Sequence, residues 1–142
     1  MVYYRYMPPA HQQICDDILL VLNQMKGAVT ELAEAEGLTK MQLFALYSIQ
    51  QHETLAMGKV AGILHCDASN VTGIIDRLVL QGYVIRQEAP HDRRAKTLRL
   101  TPQGAEITQR ATALLPTKLG CHKLNSQEAR AFHEIVQKLC AS

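Results

Sequence analysis

Residues 67–101 decide the fold, and they read DASNVTGIIDRLVLQG over positions 67–82 and then YVIRQEAPHDRRAKTLRLT over positions 83–101. The first part has the length of a helix. Asp67 is a favourable N-cap for it, and Gly82 is placed to end it in the left-handed conformation. The second part predicts a β-hairpin. The segment is therefore expected to be a helix joined directly to two strands.

The predicted helix has two different sides. Its apolar stripe consists of Val71, Ile74, Ile75, Leu78 and Val79. The other side carries Ser69, Asn70 and Thr72 near the N-terminus, where a solvated helix would more often carry Lys and Glu. Small side chains let a helix lie deep in a DNA major groove, and hydroxyl and amide groups can bind base edges there. This helix is therefore a candidate groove-binding helix.

The hairpin that follows is locally basic, although the net charge of the chain is only +2. Its strands are predicted at Tyr83–Glu88 and Lys96–Leu100, around a tip that contains Pro90. Five of the fifteen Lys and Arg residues fall within fourteen positions, namely Arg86, Arg93, Arg94, Lys96 and Arg99. A basic patch on a near-neutral protein suits docking on a polyanion. Together with the preceding helix, it predicts a winged helix-turn-helix that binds DNA.

The cationic side chains have different expected roles. Arg93 and Arg94, at the hairpin tip, are candidates for insertion into a minor groove, where narrow A·T-rich segments attract guanidinium groups. Lys96, like Arg86 and Arg99, is expected to contact the DNA backbone or to face water. Arg77 has two readings, which the sequence leaves open. It contacts a phosphate, or it pairs with a hairpin acid such as Asp92 and fixes the wing against the helix.

The rest of the chain is mainly helical. A long first helix is predicted from Pro8 and Pro9 to near Gly37. Its apolar seam is Ile14, Ile18, Val21, Met25, Ala28 and Leu32. We expect part of this seam to pack on another chain, because so small a domain cannot cover it.

Four further helices are predicted. The second is capped by Thr39, and the third covers about Met57–Leu64. The fifth starts at Thr101-Pro102 and runs to about Leu115, where Pro116 breaks it. The last begins at Asn125, which forms a capping box with Glu128. The fold class is therefore mainly α with a small β-hairpin wing, in a single domain.

Composition excludes several classes of protein. No apolar run reaches the ~18–20 residues of a membrane span, and the N-terminus lacks the apolar core of a signal peptide, so we expect a cytoplasmic protein with no membrane partner. The four cysteines form no Cys-x-x-Cys pair, and the six histidines show no metal-ligand spacing. His65, Cys66 and Asp67 are better explained as a turn and an N-cap than as metal ligands. Neither a cofactor, a metal nor an enzymatic activity is expected.

Five segments together resemble the MarR family of bacterial transcription regulators. They are LTKMQLFAL (38–46), NVTGIIDRL (70–78), GYVIR (82–86), DRRAK (92–96) and LTPQG (100–104). The resemblance is close over residues 38–104. It implies a winged helix-turn-helix at 38–101 and dimerisation helices at 8–36 and 102–142. It also implies a homodimer that binds a pseudo-palindromic operator in double-stranded DNA, acting as a repressor.

The resemblance also implies roles for residues and a ligand. Bases would be contacted by Ser69, Asn70 and Thr72, the minor groove would be entered by Arg94 or Arg93, and the wing would be held by Asp92. Many members have an arginine where this chain has Gly73, so base contacts here rest more on hydrogen-bonding side chains. A small aromatic or phenolic effector is expected to release the DNA.

Two alternative functions are weighed. Cys15 lies where one branch of the family has a peroxide-sensing cysteine, and the first alternative is therefore a thiol-based peroxide-sensing repressor. That branch has tyrosines four and fourteen positions later, whereas this chain has Leu19 and Val29. The second alternative is a winged-helix module that binds protein instead of DNA, since a fold does not fix a function. The cluster of Arg93, Arg94 and Lys96 argues against that module.

Overall fold

The structure is a computed structural model that describes residues 9–141. Within these residues the chain forms seven α-helices, one short 3-10 helix and three strands. In chain order they are α1 (Pro9–Ala35), α2 (Lys40–Gln50), β1 (Leu55–Ala56), α3 (Met57–Leu64), α4 (Ala68–Leu80), β2 (Val84–Ala89), β3 (Asp92–Leu100), α5 (Pro102–Thr112), α6 (Leu115–Lys118), the 3-10 helix (Cys121–Lys123) and α7 (Ser126–Cys140). The predicted fold class, mainly α with a small hairpin wing, is confirmed. Over the same range, every helix is too short or too polar to cross a bilayer.

The chain divides into two compact units. One is Val29–Leu115, and the other joins the residues up to Ala28 to those from Pro116 onwards. The first unit is thus larger than the segment 38–101 expected for the winged helix-turn-helix, because it includes α5 and the end of α1. Every apolar side chain that is buried among the described residues belongs to this first unit.

The helix-turn-helix forms because each helix end is satisfied locally. Thr39 and Gln42 make the capping box of α2, whereas Ala56 gives α3 no side-chain cap. His65 ends α3 in the left-handed conformation, with a φ of 49°. Asp67 caps α4, and its buried residues Val71, Ile75 and Leu78 hold the helix on the core. The trio at 65–67 is therefore a turn and an N-cap, as predicted.

The wing grows directly out of α4. Gly82 has a φ of 78°, its N–H donates to Val79, and the next N–H donates to Leu78 at 2.9 Å. These bonds form a Schellman motif that reverses the chain into β2. The antiparallel sheet has the order β1-β3-β2. Strand β1, which the sequence did not predict, pairs with β3 through Leu55–Leu98 and Ala56–Thr97.

The start of α5 packs on the backbone that follows α4. Thr101 caps α5 by accepting a hydrogen bond from the N–H of Gly104 at 3.0 Å. A Cβ at position 104 would overlap the carbonyl group of Tyr83, so only glycine fits there without a shift. The predicted end of this helix is wrong. Helix α5 stops at Thr112, and Pro116 lies inside α6, where a proline in the first turn displaces no helical hydrogen bond.

The second unit is helical and buries little by itself. Helix α1 begins at Pro9 and precedes Gly37, as predicted; Pro8 lies outside the described residues. Helix α7 begins with the predicted capping box of Asn125 and Glu128. Within this unit, no described side chain is classed as buried. Its large exposed apolar side chains range from 39% exposure at Leu22 to 61% at Leu19 and Leu20.

Candidate nucleic-acid interface

The exposed tip of α4 begins at its N-cap. One carboxylate oxygen of Asp67 accepts a hydrogen bond from the backbone N–H of Asn70 at 2.9 Å and another from the hydroxyl of Ser69 at 2.8 Å. The backbone bond from Asn70, followed by the bond from Ser69, lowers the pKa of Asp67. Its negative charge already compensates the positive end of the α4 dipole. A phosphate at this terminus would therefore face a carboxylate.

The three small polar residues on α4 offer different groups to a ligand. The hydroxyl of Thr72 donates to the carbonyl of Ala68 at 3.0 Å, and that of Ser69 donates to Asp67. Both oxygens therefore keep their lone pairs as acceptors. The side-chain amide of Asn70 makes no hydrogen bond to the described part of the chain, so it presents both a donor and an acceptor. All three residues are exposed.

The polar surface of α4 has two edges. One edge, with Asn70, Gly73 and Arg77, faces the N-terminus of α2 and lines a groove of about 290 Å³ together with Thr39 and Gln42. The helical period of about 3.6 residues per turn places Thr72 and Asp76 on the other edge. The candidate base-binding residues thus extend from the cleft beside α2 to the edge that meets the wing.

The contact between α4 and the wing differs from the one considered from the sequence. Among residues 9–141, Arg77 forms no ion pair with Asp92 or with another acid. The helix instead supplies the acid, since Asp76 forms an ion pair with Arg86 of β2. Arg86 had been assigned to the DNA backbone or to water. No sequence pattern predicts this pair, because either residue taken alone is an ordinary surface charge.

The wing tip presents its arginines through an irregular ladder. Glu88 pairs with Lys96, and the next residue, Ala89, pairs with Asp92. The intervening residues of β3, Arg93 to Ala95, therefore have no counterpart on β2 and bulge out of the ladder. Arg93 and Arg94 are exposed there. A carboxylate oxygen of Asp92 accepts a hydrogen bond of 2.9 Å from the backbone N–H of Arg94.

The remaining cation of the wing is partly compensated. The ammonium group of Lys96 lies 3.7 Å from a carboxylate oxygen of Glu88 on the neighbouring strand. Both side chains are about half exposed, and an ion pair of this kind contributes only about 0–1 kcal/mol. Lys96 therefore keeps its freedom to turn toward a phosphate.

Cys15 lies on α1 and is exposed. Leu19, one helical turn later, is also exposed, at 61%, whereas Val29 is buried. Among residues 9–141, no group of three or more His, Cys, Asp or Glu is arranged to hold a metal ion.

Comparison with known proteins gives the same fold. A model of the MarR family matches residues 38–96. The organic hydroperoxide resistance transcriptional regulator of Bacillus subtilis is 26% identical over 89% of this chain and 86% of its own. The HTH-type transcriptional repressor MdtR of the same organism is 32% identical over 65% and 62%. The crystal structure of a MarR mutant from E. coli, complexed with operator DNA, superposes with a TM-score of 0.69 at 24% identity, over 90% and 94% of the two chains.

Proposed function

We propose that the chain is a homodimeric repressor of a pseudo-palindromic operator and a member of the MarR family of winged helix-turn-helix transcriptional regulators, which are not enzymes. It acts on double-stranded DNA in the cytoplasm. The single observation that supports this most strongly is the bulged wing tip. It leaves Arg93 and Arg94 without partners in the β2–β3 ladder, on a hairpin that is joined to α4 by the ion pair of Asp76 and Arg86.

Base recognition falls to the exposed tip of α4. The hydroxyl oxygens of Ser69 and Thr72 accept hydrogen bonds, as from the amino group of cytosine or adenine, and the amide of Asn70 suits the paired donor and acceptor of adenine. Gly73 has no side chain to keep the helix at a distance, so the backbone of α4 can approach the floor of the major groove. Arg77 serves as a phosphate contact on the α2 side, because no acid in the described chain holds it.

The wing supplies the second contact. Arg94 and Arg93 enter the adjacent minor groove, and Lys96 contacts the backbone. Asp92 supports the wing through its hydrogen bond with the N–H of Arg94, which fixes the chain direction at the bulge. Neutralisation of phosphates by these cations makes binding depend on salt.

The homodimer is supported by the exposed apolar surface of the terminal helices. Helices α1 and α7 line a largely apolar groove of about 440 Å³. Its apolar lining includes Ile14, Ile18 and Val21 of α1 and Phe132, Ile135 and Leu139 of α7. Exposed apolar patches of this kind mark protein interfaces. A second copy covers this surface, and its two-fold symmetry makes the operator an inverted repeat.

Selection of bound sequences from random duplex DNA tests the function. The purified protein is expected to enrich an inverted repeat whose half-sites are one helical turn apart, about 10 base pairs. Thr72→Ala and Asn70→Ala are expected to change which positions are selected. Enrichment of no sequence at moderate salt would refute the function. A uniform loss of affinity over all sequences in both variants would exclude base contacts by α4.

Release by a small aromatic or phenolic effector is the proposed mode of regulation. It is supported by membership of the family and by no particular contact residue in this chain. Titration of the protein–operator complex with benzoate and with phenol, followed by fluorescence anisotropy, tests it. Loss of the complex in either titration supports an effector of this class, and a complex that survives both counts against it.

A peroxide-sensing repressor is the second candidate function. It is favoured by the exposure of Cys15 and by the similarity to the B. subtilis regulator of organic hydroperoxide resistance. The thiolate of Cys15 would attack a hydroperoxide, leaving a sulfenic acid on sulfur and releasing an alkoxide that takes up a proton. Organic hydroperoxide should then release DNA from the wild type and from Cys140→Ser, but not from Cys15→Ser. Release from all three, or from none, would exclude a sensing role for Cys15.

A further inference from the structure

We propose that the ion pair between Asp76 and Arg86 is a positioning device for operator binding. It holds the wing at a fixed angle to the base-contacting edge of α4, so that the helix and the wing tip reach adjacent grooves together. The inference rests on the proposed function. It assigns a task to an acidic residue that lies beside a surface meant for a polyanion.

The location of the pair suits this task. Asp76 follows Thr72 by four residues, so it lies one turn further along the same edge of α4, about 6 Å away along the axis. Arg86 is the third residue of β2, the strand that leads to the wing tip. The guanidinium therefore reaches across from the hairpin to the edge that carries a base contact. The Arg86 side chain is 33% exposed, against 55% for Asp76, so the pair lies at the protein surface.

Apolar packing, and not this ion pair, holds α4 and the hairpin together. Ile75 and Leu78 of α4 and Val84 of β2 are each at most 1% exposed, and α4 packs directly on β2. Exposed ion pairs add little to folding stability. Apolar contacts are not directional, whereas an ion pair fixes two points relative to each other. In the described part of the chain, no other ion pair joins α4 to the hairpin.

The charge of Asp76 makes the proposal testable by the sign of an effect. A carboxylate near phosphates opposes DNA binding, so its removal alone should strengthen affinity. If the carboxylate orients the wing, its removal weakens affinity despite the gain in charge. Glu88 provides a matched control. It is an acid of similar exposure on the β2–β3 hairpin, and its ion pair with Lys96 lies within that hairpin.

The first experiment measures operator affinity by fluorescence anisotropy at one salt concentration. Asp76→Asn is expected to weaken binding about tenfold, toward the lower end of the loss typical of a DNA contact. Glu88→Gln is expected to leave the affinity unchanged or to raise it. Asp76→Glu keeps the carboxylate and should recover most of the loss. Unchanged or tighter binding by Asp76→Asn would overturn the proposal, as would an equal loss in Glu88→Gln.

The second experiment is a double-mutant cycle with the wing tip. Once the wing is no longer oriented, Arg94→Ala has less to remove, so its effect in the Asp76→Asn background should be clearly smaller than in the wild type. Losses that multiply would overturn a positioning role, even if Asp76→Asn weakens binding. Wild-type protein that selects no DNA sequence would refute the proposed function itself. Selective binding that ignores Asp76→Asn would refute only this inference.

Discussion

The hydroxyl of Thr101 donates a 2.6 Å hydrogen bond to the carbonyl oxygen of Gly82, and so joins the first residue before α5 to the turn that ends α4. The backbone N–H of Thr101 donates to the next carbonyl, that of Tyr83, at 3.0 Å. The same hydroxyl accepts from the N–H of Gly104. The segment LTPQG (100–104) therefore joins the start of α5 to the turn that ends α4. This structural role accounts for its residues without a ligand.

Gly104→Ala is expected to destabilise the protein by about 1–3 kcal/mol, because the new Cβ would overlap the backbone of Tyr83. Chemical denaturation followed by circular dichroism measures the change. Gly62→Ala is the control, since a Cβ at this helical position meets no atom within 4 Å. It should stabilise α3 by about 0.5–1 kcal/mol. Equal effects of the two substitutions would contradict the steric explanation.

The stability of the protein should fall in acid partly because of Asp67. The folded-state pKa of this carboxyl is lowered, chiefly by the N–H of Asn70. Its contribution is thus complete above the unfolded pKa of about 3.9 and is lost as the pH falls through the folded value. Asp67→Asn keeps an acceptor at the cap but does not titrate. The difference in unfolding free energy between wild type and variant should therefore shrink below about pH 4, measured by urea denaturation from pH 3 to 7. Parallel curves would rule out this titration.

Arg94→Ala should weaken operator binding by about 1–3 kcal/mol and lower the slope of log affinity against log salt by about one unit. The physical reason is the loss of one cation that we propose replaces condensed counterions at the minor groove. Arg130→Ala is the matched control, because Arg130 is an exposed arginine of α7. Its affinity and slope should equal those of the wild type. An unchanged slope in Arg94→Ala would remove this guanidinium from the interface.

Ile135→Asp should convert the proposed dimer into monomers, because it puts a carboxylate into the apolar groove that we propose a second copy covers. The dimer dissociation constant is expected to rise by about a hundredfold or more, equivalent to ~3 kcal/mol. Sedimentation velocity over a range of concentrations measures it. Leu80 lies outside this groove, and its side chain is 88% exposed. Leu80→Asp should therefore leave the protein dimeric, with the same dissociation constant as the wild type. A monomeric wild type would contradict the proposed assembly.

Much of the fold follows from signals that lie within a few residues of one another. The N-caps Asp67, Thr101 and Asn125 all begin helices, because a side-chain oxygen there satisfies N–H groups that no helical carbonyl can reach. Gly82 ends α4 because a left-handed φ is easily adopted without a Cβ. The apolar stripe of α4 likewise predicts its buried face.

The features that the sequence did not predict depend on distant partners. Strand β1 has only two residues, and Leu55 becomes a strand because β3 offers unpaired backbone groups. The pairing of Asp76 with Arg86 depends on the angle at which the Schellman turn directs β2. Pro116 was expected to break a helix that had already ended at Thr112. No local pattern encodes these relations.

The pairing of Leu55 with Leu98 bridges more than forty residues of chain. The β2–β3 hairpin can close early from neighbouring residues, but β1 can join it only after α3 and α4 have folded back, because closure of so long a loop costs entropy first. The pairing of β1 with β3 should therefore form late in folding. Its amide hydrogens should exchange with solvent only through global unfolding. The bulged tip at Arg93 and Arg94 should exchange its amide hydrogens far sooner.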